Sequence, residues 1–319
     1  MTLTPEYLAT LREQIDRRLV EVYPQGPRLL AEPIHYVLAG GGKRLRPILT
    51  LITAQALGAT TEQVLHAAVA VEILHNFTLV HDDVMDRDNT RHGQPTVHSR
   101  WDEGVAILTG DAMFINALGE LYLTSGDVAA QSTAFIQGAL AVCEGQALDK
   151  EYESRPDVSQ EEYRRMIDLK TGHMLGLAAE LGALVAESKP DYVEGVRRYG
   201  RLLGRAFQIQ DDLLEVFSDS RTMGKSLGSD LLSDKKTYLV VAGMEVASEQ
   251  VLKAMTLAKQ DLEAGMDALR TVLEQNGIRA DAEEVVKQTI GQALDELAPL
   301  GELGQLLVEF SDLVLNRRK

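Results

Sequence analysis

Apolar residues recur along this chain at spacings of three and four, as in Leu8, Leu11, Ile15, Leu19 and again in Val64, Ala67, Ala68, Val71, Leu74. That is the period of a helix burying one face. Alternating runs closed by Asn-Gly or Asp-Gly, the mark of a hairpin, are absent from the sequence. The pattern predicts helices at 5–23, 28–38, 44–57, 61–86, 103–123, 127–153, 159–187, 191–217, 236–275, 279–297 and 303–317. Pro5, Pro24, Pro27, Pro47, Pro156 and Pro190 fall mostly at their edges, where a missing N–H costs least. No linker rich in Gly, Ser or Pro and no fixed-period repeat divides the chain, so one all-α domain over 1–319 is expected. Residues 87–104 and 218–235 break the helical pattern. The second, with Gly224, Gly228 and several cations but few large apolar anchors, reads as a lid.

Aromatic residues are only 5% of the 319, so the core must be built from Leu, Ala, Val and Ile on long packed helices. Against 32 Lys and Arg stand 48 Asp and Glu, a net charge of −16, which argues against a nucleic-acid partner held by phosphate attraction. The lone Cys143 rules out an intrachain disulfide or a cysteine-based zinc site and fits a cytoplasmic protein. No uninterrupted run of about 18 apolar residues occurs, so no integral membrane segment is expected, and the charged N-terminus lacks a signal-peptide core.

Part of the acidity is concentrated. HDDVMD supplies Asp82, Asp83 and Asp86, and QDDLLE supplies Asp211, Asp212 and Glu215. At about 3.6 residues per turn, residues i and i+4 share a helix face, so each cluster directs two carboxylates to one place. Such pairs repel unless a cation joins them. Both follow apolar stretches, where a solvated face is not expected. Hard oxygen pairs suit Mg²⁺ or Mn²⁺, ions that bridge carboxylates to substrate phosphates. Two such clusters facing each other would describe a diphosphate site. Cations support it: GGGKRLRP sets Lys43, Arg44 and Arg46 beside three glycines, and Arg91, Lys170, Lys225 and Lys235 lie further along.

From GGGKRLRP through HDDVMDRDNTRHGQPTVH and FQIQDDLLE to GKSLGSDLLSDKKT, the chain resembles the all-trans polyprenyl diphosphate synthases over nearly its whole length. The resemblance implies a single large helical bundle of the isoprenoid (terpenoid) synthase type with a central active-site cavity. It also implies a homodimer and a prenyltransferase that joins isopentenyl diphosphate to an allylic diphosphate (dimethylallyl, geranyl or farnesyl) with three Mg²⁺ ions. By residue match, Asp82 and Asp86, assisted by Asp83, would bind two ions. Asp211, with Asp212 and Glu215 around it, would bind the third. Arg91, Lys170, Lys225 and Lys235 would hold the allylic diphosphate. Lys43, Arg46 and His75 would hold isopentenyl diphosphate. The Thr171 hydroxyl, the Gln208 amide and carbonyls near Lys170 would stabilise the allylic cation, with the departing pyrophosphate taking the proton.

Three positions depart from the family pattern. His92 stands where most members carry a second arginine that helps bind isopentenyl diphosphate. Glu215 replaces the last aspartate of the second motif, and Tyr238-Leu239 replaces Leu-Pro. Phe77, five residues before Asp82, and Thr78, four before, stand where the family sets product length. Phe77 without an insertion resembles the geranylgeranyl type (C20), with farnesyl (C15) or a longer product as the alternative. On an ideal helix Thr78 lies about 40° from Asp82 and Phe77 about 140°.

A class I terpene cyclase shares the first motif but is expected to differ at the second. A carboxylate-bridged di-metal bundle would use the Glu-x-x-His pairs Glu32/His35 and Glu72/His75. A non-catalytic regulatory subunit is expected to have lost one or both acidic motifs, and both are present.

Overall fold

The computed structural model describes residues 2–218, 229–232 and 235–315. Lys225 and most of the segment read as a lid lie outside the described residues.

The helices are α1 Pro5–Glu21, α2 Arg28–Leu38, α3 Leu45–Ala56, α4 Thr61–Asp86, α5 Val97–Arg100, α6 Glu103–Leu121, α7 Val128–Glu153, α8 Gln160–Ile167, α9 His173–Val185, α10 Pro190–Phe217, α11 Ser229–Leu232, α12 Tyr238–Ala258, α13 Leu262–Gln275, α14 Ile278–Asp295 and α15 Gln305–Leu315. Side-chain oxygens start many of them. Thr4, Asp102, Thr237 and Asp261 each accept a first-turn N–H, and Thr60/Gln63 and Ser159/Glu162 form reciprocal capping boxes.

The chain packs as two compact units. The first comprises Met1–Leu140, Met174–Gly200 and Glu296–Asp312. At its centre, α4 is buried on every side from Ala67 to Leu74, as befits a helix apolar all round. Leu8, Leu11, Ile15 and Leu19 of α1 and Ile48 to Ala54 of α3 complete this core. Each large aliphatic side chain so buried contributes about 1.5–3 kcal/mol. Gly182 of α9 lets α3 come close: a Cβ there would sit 2.5 Å from the Thr50 carbonyl oxygen. The second unit comprises the described parts of Ala141–His173, Arg201–Asp295 and Leu313–Lys319. Its core joins Tyr163, Ile167, Leu213, Tyr238, Leu239, Leu269 and Leu273.

Three expectations change in detail. The helix expected over 159–187 is interrupted by a π-helical turn, Asp168–Gly172. The one expected over 236–275 is two, because Asp261 caps a new start. Residues 87–104 contain a small antiparallel ribbon, β1 Thr90–Arg91 with β2 Gln94–Pro95, and the short α5. Its two-residue turn, His92-Gly93, has φ of +49° and +76°. Histidine is among the few residues enriched in that left-handed region, and glycine accepts it freely.

Helices α4 and α6 are long and apolar enough to cross a membrane, but 61% of the most apolar window of α4 is buried inside the protein.

Candidate active site

In the first unit the acidic motif forms the last turn of α4, which stops at Arg87 in the left-handed conformation. Asp82 and Asp86 are half-buried on one face. Asp83, about 100° round the helix, is buried instead. Arg91 of β1 donates to its Oδ1 from Nε and from Nη2, each at 2.6 Å. Burial pushes the Asp83 carboxyl up to about 6, against the pull of Arg91. The Asp83 carboxylate is turned inward onto Arg91, fixing the ribbon to the end of α4.

The glycine-flanked cations divide in the same way. Lys43 is exposed and Arg46 half-buried. Arg44, also left-handed at φ +49°, is buried. Its guanidinium donates to Glu72 at 2.6 Å, Asp16 at 2.8 Å and the Leu38 carbonyl at 2.7 Å. It is a fastener, not an anion ligand. Arg46 Nη1 lies 3.1 Å from His75 Nε2. Burial and the nearby cations Arg46, Arg91, His92 and Arg44 hold the His75 imidazole well below its ordinary value, so it is neutral. Glu72, tied to Arg44 and to the Asn76 amide at 3.1 Å, does not join His75 in a metal pair. Phe77 stacks on His81 and Phe114, and the Thr78 hydroxyl donates to the His75 carbonyl at 2.8 Å.

In the second unit the π turn carries Lys170 and Thr171. It is wedged between glycines. A Cβ on Gly145 of α7 would lie 2.4 Å from the Lys170 nitrogen, and one on Gly204 of α10 would lie 2.7 Å from the Gly172 Cα. π turns are rare and cluster at functional sites, because the extra residue re-aims side chains and backbone. Lys170 Nζ donates to Asp149 at 2.7 Å. The Thr171 hydroxyl donates to Gln208 Oε1 at 3.1 Å, and Gln208 Nε2 donates to Asp212 Oδ1 at 3.2 Å. Below the turn, burial would raise the Asp168 carboxyl, but Arg205 and Arg201 hold it below the usual carboxylate range.

The second motif repeats the logic of the first. Asp211 and Glu215 are half-buried, four residues apart on α10. Asp212 is buried and accepts from the Tyr163 hydroxyl at 2.5 Å and the Tyr238 N–H at 2.8 Å, besides Gln208. Its oxygens are bound by protein donors and join α8, α10 and α12. Tyr238, which replaces the common leucine, supplies that N–H. Lys235 is half-buried just before the Thr237 cap.

Two residues of α7 escaped sequence reasoning. Asp149 partners Lys170, and Gln146, buried one position after Gly145, has no protein partner for either amide atom. The only signal was their spacing: Gly145, Gln146 and Asp149 fall on one helix face.

Among the described residues no three His, Cys, Asp or Glu side chains gather as a closed metal cage. The donor chemistry that remains, paired half-buried carboxylates at i and i+4, fits Mg²⁺, which keeps waters and takes substrate phosphate oxygens rather than an all-protein shell.

Residues 27–274 match the family model described as polyprenyl synthetase. The chain is 35% identical to a short chain isoprenyl diphosphate synthase of Methanothermobacter thermautotrophicus over 98% of each chain. It is 37% identical to a geranylgeranyl diphosphate synthase of Methanosarcina mazei over 86% of this chain and 85% of that one. A crystal structure of a geranylgeranyl pyrophosphate synthase superposes with a TM-score of 0.91 at 37% identity, covering 98% and 99% of the two chains. The chain therefore belongs to the polyprenyl synthetase family and has its all-α terpenoid synthase fold. It is an enzyme of prenyl chain elongation, a trans-prenyltransferase.

Proposed function

We propose that the enzyme condenses isopentenyl diphosphate with an allylic diphosphate, working as one polyprenyl synthase domain over 1–319 and making geranylgeranyl diphosphate. One observation carries the metal-diphosphate chemistry: in both acidic motifs the middle aspartate is locked inward, leaving Asp82/Asp86 and Asp211/Glu215 as paired, half-buried carboxylates. These four would hold Mg²⁺, three ions by resemblance, and when bound the metal neutralises and orients the diphosphate.

Lys170 and Lys235, with Lys225 and Arg91, would offset charge on the allylic diphosphate as its C1–O bond breaks. The Thr171 hydroxyl donates its hydrogen bond to Gln208 Oε1, so its oxygen lone pairs would face the electron-deficient carbon. Neutral His75, beside Arg46, would hold the isopentenyl diphosphate without adding charge of its own, together with Lys43 and His92. The π turn supports this reading, since it puts Lys170 and Thr171 in a backbone that an ordinary helix does not offer.

The C20 product rests on the names of relatives and on Phe77, with C15 the alternative. A cytoplasmic homodimer is the assembly proposed. Leu108, Ile115, Tyr122, Ile136 and Leu140 of α6 and α7 are 55–70% exposed, a large apolar face of the kind that marks an interface. The test is pyrophosphate release. It should need both diphosphates and Mg²⁺, and cease in excess chelator; release undiminished by the chelator would refute the metal assignment.

A further inference from the structure

A carboxylate taken out of water stays ionised only where cations meet it. Asp168, buried at the start of the π turn in the second unit, meets two, both from one face of α10. Arg205 Nε donates to its Oδ1 at 2.8 Å, and Arg201 donates to Oδ2 through Nη2 and reaches Oδ1 from Nε at 3.4 Å. Arg201, Arg205, Gln208 and Asp212 fall within about 60° of one another on that helix. One stripe therefore holds the acid that starts the turn through two arginines, and the Thr171 hydroxyl within the turn through Gln208.

Asp168 is tied to the turn twice. The His173 N–H donates to its carbonyl, five residues back, and this bond makes the turn one residue wider than an α turn. Its carboxylate then folds under the turn, into the space that a side chain at Gly172 would need. A Cβ there would lie 2.8 Å from Asp168 Oδ1 and 3.0 Å from the Arg201 carbonyl oxygen. Asp168 and Lys170 find their partners on different helices, α10 for Asp168 and α7 for Lys170, whose Nζ donates to Asp149 at 2.7 Å. Pulling Asp168 onto α10 thus aims Lys170 at α7. Closing to an ordinary α turn would rotate what precedes Gly172 by one residue, about 100°, and carry Lys170 away from that face.

We infer that Asp168 is a positioning residue for Lys170: the clamp of Arg201 and Arg205 on its carboxylate keeps the turn wide, and so keeps the Lys170 ammonium aimed at the allylic diphosphate. This rests on the part proposed above for Lys170. Thr171 has an anchor of its own in Gln208, so the clamp acts chiefly through the lysine. An amide in place of the carboxylate removes the negative charge that both guanidiniums share and sets an NH₂ donor against theirs. The arginines then part, and the turn is free to close.

The test is a double-mutant cycle on the full chain: wild type, Asp168→Asn, Lys170→Ala and the double variant, each assayed with isopentenyl diphosphate, farnesyl diphosphate and Mg²⁺. Asp168→Asn should lower kcat/KM for farnesyl diphosphate by about 10–100-fold, the scale of a misplaced group, and leave KM for isopentenyl diphosphate unchanged. In Lys170→Ala the same substitution should add no further loss, because the group it aims is gone. Should Asp168→Asn fail to fold, Arg205→Gln, at a half-buried partner, carries the same expectations. Wild-type kinetics in Asp168→Asn overturn the inference. So do losses that multiply in the double variant or fall equally on both substrates, since these mark support of the fold rather than of Lys170. Lys170→Ala with an unchanged kcat/KM sinks the part given to Lys170, and a wild-type protein that elongates nothing sinks the proposed function itself.

Discussion

Two adjacent aspartates with opposite duties recur at the residue scale. In each motif the first points to the face shared with the fourth residue on, and the second is consumed by protein donors. Asp211→Asn should accordingly cut kcat by orders of magnitude with an unchanged melting temperature. Asp212→Asn should lower stability by about 1–3 kcal/mol, the usual cost of disturbing buried polar partners, as read by denaturant unfolding. The sequence announced all six acids but not this division, because whether a carboxylate meets solvent or Arg91 depends on a neighbouring element. Arg44 was opaque for the same reason: only the fold brings Asp16 and Glu72 to it.

His75 carries a pH signature. It stays neutral in the folded protein, whereas in the unfolded chain it takes up a proton below its ordinary value of 6.5. Protons then favour the unfolded state, so this contribution is present above that pH and lost as pH falls. The melting temperature should drop between about pH 7 and about pH 5, and drop less steeply in His75→Gln. An equal slope in the two proteins would remove His75 as the cause. His92 stands where the family pattern has an arginine, so His92→Arg should lower the Michaelis constant for isopentenyl diphosphate; an unchanged constant would contradict a part for position 92 in binding that substrate.

At the scale of elements, helical periodicity was strong enough to locate nearly every helix, since a buried face imposes its spacing on the sequence. What it missed were local departures set by tertiary contact. The π turn leaves no periodic mark; its causes are Gly145 and Gly204, far away in the chain and bare where the turn presses on them. The ribbon escaped because His92-Gly93 is an uncommon turn pair. Gly145→Ala should therefore cost about 1–3 kcal/mol of stability by overpacking against rigid backbone, and lower kcat as Lys170 shifts. Gly291→Ala on α14, with open space around it, should instead stabilise by about 0.5–1 kcal/mol, the helix preference for alanine. Thermal melts of the two variants distinguish these outcomes.

For the molecule as a whole, the net charge of −16 is a puzzle that the site resolves only locally. The proposed function has two anionic substrates bound by a protein of the same sign, which calls for cations concentrated near the site and for Mg²⁺ to supply the rest. The apolar face of α6 and α7 gives a further expectation. If it joins two copies, Ile115→Glu with Leu140→Glu should convert a dimer into a monomer by light scattering, and a wild-type protein that is already monomeric would end that account. The most direct test of the central claim is the product itself. Purified protein incubated with labelled isopentenyl diphosphate, Mg²⁺ and dimethylallyl, geranyl or farnesyl diphosphate should yield a dominant C20 prenyl diphosphate; a product confined to much longer chains, or none from any primer, would contradict it.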